Sequence, residues 1–241
     1  MRSIDLCTVC LAAIAALGGC GGSDDSADPD AARSIDAASA ADAASGPDAT
    51  PPPLADSVAE YSDQQGQDSW NYGYWDLTAD EAGGDGQYDD AEFQLMTEFY
   101  EPWSNWEVQH GDGGFWTSVS DDGTHPNGLE GYEGRQAVEH WAIRRWVSEV
   151  TGDVSITGEL SKREGTTGGD GVVGMIFVDG VEQYTQAVAG SDDVGYTYSI
   201  CVSVTVGSNV DFAISAGDAG DDGSDSSHYT ALVRAEPAGC S

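Results

Sequence analysis

The chain has 241 residues, 43 acids against 8 bases and a formal net charge of −35, with Lys162 its only lysine. A surface so negative repels phosphates instead of displacing their counterions, which excludes nucleic acid as a partner, and it equally excludes electrostatic attachment to anionic lipid. The charge is left to mean solubility through self-repulsion, adaptation to salty surroundings, or calcium binding through carboxylate oxygens.

At the N-terminus, Arg2 precedes an apolar run from Leu6 to Leu17, and "LGGC" follows at 17–20. An apolar core of that size predicts a secretory signal, too short to span a membrane permanently. The tetrapeptide resembles the bacterial lipobox. The resemblance implies a signal peptide over 1–19, cleavage before Cys20 and acylation of its thiol and amine, hence a lipid-anchored protein of the bacterial cell envelope, on the periplasmic face or the cell surface. Cys7 and Cys10 would leave with the signal. Cys201 and Cys240 then remain as an even pair in an oxidising compartment, and a disulfide between them is expected.

Residues 20–56 are Ala, Asp, Ser and Pro with few large apolar side chains. Such a segment cannot bury enough surface to offset its ordering entropy, so it is expected to be a disordered tether. One folded domain is expected over 57–241.

Its first stretch, "YSDQQGQDSWNYGYWD" at 61–76, crowds aromatics beside amides. In a strand, Trp70, Tyr72 and Tyr74 share the face expected to be core, while Trp75 lies on the opposite phase and is the candidate for an exposed ring. Further along, "VSITGEL" (154–160) and "YTYSICVSVTV" (196–206) alternate with period two, the second placing Cys201 on the polar phase. "GMIFVDGVEQYT" is a hairpin with Asp179-Gly180 at its tip. "VDFAIS" and "HYTALVRA" supply further strands between Gly- and Asp-rich turns. The fold class is therefore all-β, an antiparallel jelly-roll-like β-sandwich preceded by a disordered linker.

The ordered set "QGQDSWNYGYWD", "THPNG", "AIRRWVSEVTGDVSITGEL", "GDGVVGMIFVDGVEQ" and "VTVGSNVDFAISAG" resembles jelly-roll domains of secreted bacterial proteins, of the carbohydrate-binding-module or galactose-binding-like kind. The resemblance covers most of 60–234. It implies a non-catalytic domain of a kind often attached to glycan-active enzymes.

Site candidates concentrate in "EPWSNWEVQHGDGGFWTSVSDDGTHPNG", 101–128. Trp103, Trp106 and Trp116 can stack on sugar faces, and His125, its backbone restricted by Pro126, can contact a ligand or close the loop. Arg144 and Arg145 are adjacent on a strand and must face opposite ways, one outward and the other at an edge or paired with a buried acid. For calcium, the loops 78–90 and 217–229 gather carboxylates on Gly-rich turns without EF-hand spacing, and Asp222 and Asp225 are the first metal candidates. No zincin, nucleophile-elbow, phosphate-loop or zinc-ligand motif occurs, so no catalytic residue is assigned. The expected partner is a polysaccharide or surface glycan. The rivals are a structural or adhesive lipoprotein that contacts another protein, and a glycan-active enzyme built on paired carboxylates, or a His with an Arg, in a concave cleft.

Overall fold

The computed structural model describes residues 52–130, 132–163, 168–217 and 219–240. The expected signal peptide, the Cys20 anchor and the tether as far as residue 51 lie outside the described residues. In chain order the strands are β1 (Ala55–Asp56), β2 (Trp70–Asp76), β3 (Gln94–Leu95), β4 (Glu98–Tyr100), β5 (Asn105–Glu107), β6 (Ser118–Val119), β7 (Gly123–His125) and β8 (His140–Val147). They continue as β9 (Gly152–Lys162), β10 (Gly171–Val178), β11 (Val181–Ala189), β12 (Tyr196–Val204), β13 (Asn209–Ser215), β14 (Ser227–Tyr229) and β15 (Leu232–Ala235). A short helix, α1 (Leu77–Gly83), follows β2.

Two antiparallel sheets form the sandwich. One runs β11-β10-β13-β8-β2-β3. The other is organised on β9, which pairs with β12 along one edge and with β15 and β14 along the other; β15 carries β1, and β14 leads on through β7, β6 and β5 to β4. "HYTALVRA" is thus two short strands, yet both keep one register on β9, with Tyr229 opposite Leu160 and Leu232 opposite Thr157. Because β1 pairs with β15 and Ala55 is fully buried, the sheet takes in the last residues assigned to the tether.

The alternation read from the sequence decides what faces inward. Trp70 and Tyr72 of β2, Trp146 of β8 and Phe212 of β13 meet Ile156 and Leu160 of β9, Val202 of β12 and Val233 of β15 in the core between the sheets. Each such side chain contributes about 1.5–3 kcal/mol on burial. The hairpin tip holds Asp179 at φ 49° and Gly180 at φ 78°, two successive positive angles, which match the twist of the flanking strands. Cys201 of β12 is bonded to Cys240, as its polar phase predicts.

Two expectations are corrected here. Trp75 is outward on β2 but only 1% exposed, because residues 77–93 fold over that face and Trp75 packs with Tyr88, Ile143, Met175 and Phe177 in a second apolar cluster. Arg144 and Arg145 face opposite ways and one is paired with a buried acid, as expected, but neither is outward in solvent. Arg144 points into the sandwich and donates to the carbonyls of Ser120, Asp121 and Tyr229. Arg145 points the other way and is bidentate on the buried Asp211, at 2.6 and 2.8 Å, with the Tyr88 hydroxyl donating to the same carboxylate. Leaving either guanidinium unpaired in such surroundings would cost several kcal/mol, which explains the density of acceptors around both.

Candidate functional site

The short strands β5, β6 and β7 alternate as tightly as the long ones. Trp106 and Val119 face the core, so Glu107, Ser118 and His125, adjacent across the three strands, face the other way. That row lies in a cleft of about 410 Å³, also lined by Trp103, Asn105, Phe115, Trp116, Arg135 and Asp222. The size is ordinary for a small-ligand site.

Trp103 follows β4 in the turn to β5 and is 58% exposed, yet it is held in place. Its ring meets Tyr100 edge-on at 5.1 Å and His110 edge-on at 5.4 Å, and those two stack on each other at 3.7 Å. His110 in turn bonds Glu107 Oε2 through Nδ1 at 2.7 Å. The floor carboxylate therefore anchors the aromatic rim. Its other oxygen, Oε1, accepts from Asn105 Nδ2 at 3.1 Å, while Asn105 Oδ1 is buried with no hydrogen-bond partner among the described residues. A buried amide oxygen without a donor is costly, so it marks a place where a ligand hydroxyl gains a bond at little expense.

On the opposite side, the Trp116 backbone N–H donates to Asn127 Oδ1 at 2.7 Å, and Asn127 Nδ2 donates to the carbonyls of Gln136 and Val138. This fully buried asparagine ties the Trp116 segment to the segment that carries Arg135. The Arg135 guanidinium lies 4.3 Å from the centre of the Trp116 ring. His125 Nδ1 bonds the Pro126 carbonyl at 2.5 Å. A carbonyl only accepts, so Nδ1 carries the proton and Nε2 of the neutral ring is an acceptor. Burial pushes the imidazole down to about 4, against the pull of the Pro126 carbonyl, with Lys162 and Arg135 adding to the fall. The ring is neutral at pH 7.

Of the predicted binding residues, Trp103, Trp116 and His125 come together in this cleft. Trp106 does not. It is 6% exposed, stacks on Tyr72 and donates its indole N–H to the Ser62 carbonyl, because its phase on β5 points it into the sandwich. The two metal candidates are both engaged by protein donors. Asp225 is paired with Lys162 at 2.6 Å, both side chains fully buried. Asp222 lines the cleft, and its Oδ2 accepts the Gly128 N–H at 2.7 Å. Burial pushes both carboxyls up, and each has a protein donor, while Asp225 Oδ2 is buried without a hydrogen-bond partner among the described residues. Among the described residues no group of three or more His, Cys, Asp or Glu is placed to hold a metal ion. Asn105, Glu107, Asn127 and Arg135 were not singled out from the sequence. The strict alternation "NWE" at 105–107 was the available signal for the first two, since placing Trp106 inward turns its neighbours outward.

No protein-family model and no curated protein matches the chain. Among solved structures, it is similar to a family 35 carbohydrate binding module from Clostridium thermocellum, at 13% identity over 53% of this chain and 86% of that one, with a TM-score of 0.29. A β-glucosidase from Kluyveromyces marxianus is similar over 74% of this chain at 8% identity and a TM-score of 0.31. A ruminal GH26 endo-β-1,4-mannanase is similar over 58% at 15% identity and 0.29. The chain spans 18% and 27% of the length of these last two.

Proposed function

We propose that the protein binds carbohydrate without altering it, through the cleft over β5, β6 and β7, and that it is held at the bacterial cell envelope by lipid on Cys20. The reading is carried by one observation. An exposed, pre-positioned Trp103 and the Trp116 ring flank a floor of hydrogen-bonding groups, with Asn105 Oδ1 lacking a donor and His125 presenting an acceptor. Apolar rings stack on the C–H faces of sugars, and a few fixed polar groups read the hydroxyls. The rims are held by packing and hydrogen bonds before any ligand arrives, which lowers the ordering cost of binding.

The test is retention of the full chain on a broad panel of immobilised glycans, repeated with Trp103→Ala and Trp116→Ala. Each variant should bind its glycan roughly five- to thirtyfold more weakly, with about 1–2 kcal/mol of ring contact removed. Trp103→Ala should leave the melting temperature nearly unchanged, its ring being largely outside the core. Absence of retention by any glycan, or equal retention by both variants and the parent, would sink the proposal and move attention to a protein partner.

A further inference from the structure

Of the 8 Lys and Arg residues only Lys162 is a lysine, and it lies inside the fold. On β9 it shares the inward phase of Ile156 and Leu160, and its side chain is fully buried. Ser227 of β14 stands directly opposite it, and Asp225, two residues earlier, brings a second fully buried side chain to the same place. The two meet with Nζ 2.6 Å from Oδ1. Asp225 is pinned on both sides: its N–H donates to the Asp222 carbonyl at 3.2 Å, and its own carbonyl accepts the Ser227 hydroxyl at 2.9 Å.

As an ion pair this contact is incomplete. Among the described residues Asp225 Oδ1 is the one acceptor for the three protons of Nζ, and Asp225 Oδ2 has no donor. A buried pair offsets its desolvation only when the remaining protons and lone pairs are satisfied as well. Burial pushes the Asp225 carboxyl up to about 7 against the pull of Lys162, with Asp170 and Asp222 adding to the rise. Asp222 is engaged elsewhere, its Oδ2 holding the Gly128 N–H. The geometry suits a reaction better than a charge pair. A nitrogen 2.6 Å from one carboxyl oxygen is within about 4 Å of the carbon that bears it, and both groups are held in place. A neutral amide leaves no desolvated charge behind. An arginine at 162 could make the pair but has no amine to react.

We propose that Lys162 and Asp225 condense to an intramolecular isopeptide bond. Proton transfer from Nζ to the carboxylate leaves an amine and a carboxylic acid. The nitrogen lone pair then forms the Nζ–Cγ bond, one Cγ–O bond breaks, and that oxygen leaves as water with the two protons shed by the ammonium. Nothing is oxidised or reduced, and neither a co-reactant nor a net proton is needed. Surroundings that exclude water protect the amide from hydrolysis. The bond joins β9 covalently to the loop that carries Asp222 into the cleft, across a sequence separation of 63. Cys201–Cys240 secures the β12 side of β9, and this link secures the β14 side. Unlike the disulfide, it resists reductant. It stands whether or not the cleft takes a sugar.

The full chain, shown to be folded by a cooperative melt, is denatured, reduced and cut with trypsin, and the peptides are analysed by mass spectrometry. An acylated lysine is not cut. The expected product is 146–163 joined to 164–234, lighter than the two together by one water, with fragments that place the link between Lys162 and Asp225. It should account for most of the protein. Lys162→Arg keeps the charge and Asp225→Ala removes the carboxyl; both should give linear peptides alone. Because either variant can fail to fold, the peptide map of the parent is decisive. Release of linear 146–162 from most of the folded parent would overturn the proposal, as would a link that fragmentation places on Asp222 or Asp170. Retention on glycans plays no part in this readout, so its failure leaves the carbohydrate reading standing.

Discussion

His125 shows how one backbone carbonyl sets the chemistry of a side chain. The bond from Nδ1 to the Pro126 carbonyl chooses the tautomer, and burial among other groups keeps the ring neutral far below its ordinary value of 6.5. The sign of the consequence follows. As pH falls below about 6.5 the unfolded chain takes up this proton while the folded ring does not, so stability from His125 is complete above that value and is lost on the way down to about 4. The imidazole resonances should accordingly titrate with a midpoint near 4 in the folded protein. The loss of stability between pH 6.5 and 4 should be smaller in His125→Gln than in the parent, the carboxylates being common to both. A midpoint at 6 or above in the folded state would refute the neutral imidazole. Sugar binding that uses Nε2 as an acceptor should stay level from pH 8 to about 5 for the same reason.

The elements differ in how they are held. Strands β9, β10, β12 and β13 are long and paired over most of their length, whereas β5, β6 and β7 are two or three residues each and depend on cross-links from outside the ladder. Tyr61 supplies one such link, its hydroxyl lying within hydrogen-bond reach of the Ser104 and Val119 carbonyls; Asn127 supplies another. Strand β12 is a sheet edge on β9, and its staple is covalent: Cys201 to Cys240 ties it to the C-terminal tail across a sequence separation of 39. Closing a loop of that size removes about 4 kcal/mol worth of unfolded-state entropy. Reduction should therefore lower the melting temperature by several degrees while leaving glycan affinity unchanged, since neither cysteine lines the cleft. A melting curve insensitive to reductant would refute the staple.

For the whole molecule, the sandwich and the anchor are separate problems. The charge of −35 gives a membrane of anionic lipid nothing to attract. The proposed attachment therefore rests on acyl chains, and one chain alone gives only marginal binding, so acylation of both the thiol and the amine of Cys20 is what the proposal requires. Expressed in a bacterium, the protein should partition into the detergent phase of the membrane fraction, and Cys20→Ser should move it to the aqueous phase. Partition of the parent into the aqueous phase would exclude the lipid anchor.

The sequence by itself determined the sandwich, its principal hairpin and the disulfide, because each is written in local terms. Period-two alternation states which side chains share a face, Asp179-Gly180 can take two positive φ angles, and a cysteine on a polar phase is open to a bond. What alternation cannot state is what lies on the other side of a face. Trp75 is outward on β2 and still buried, because residues 77–93 return over it; Trp106 belongs to the segment with the most loop character and still belongs to the core. The cleft was half legible. Three of its rings were visible as polar-flanked aromatics, but Glu107, Asn127 and Arg135 gain their roles only when four stretches of chain, near residues 105, 116, 135 and 222, meet in space. That meeting was decided by the tertiary structure alone, since the pairing of strands far apart in sequence leaves no periodic trace within any one of them.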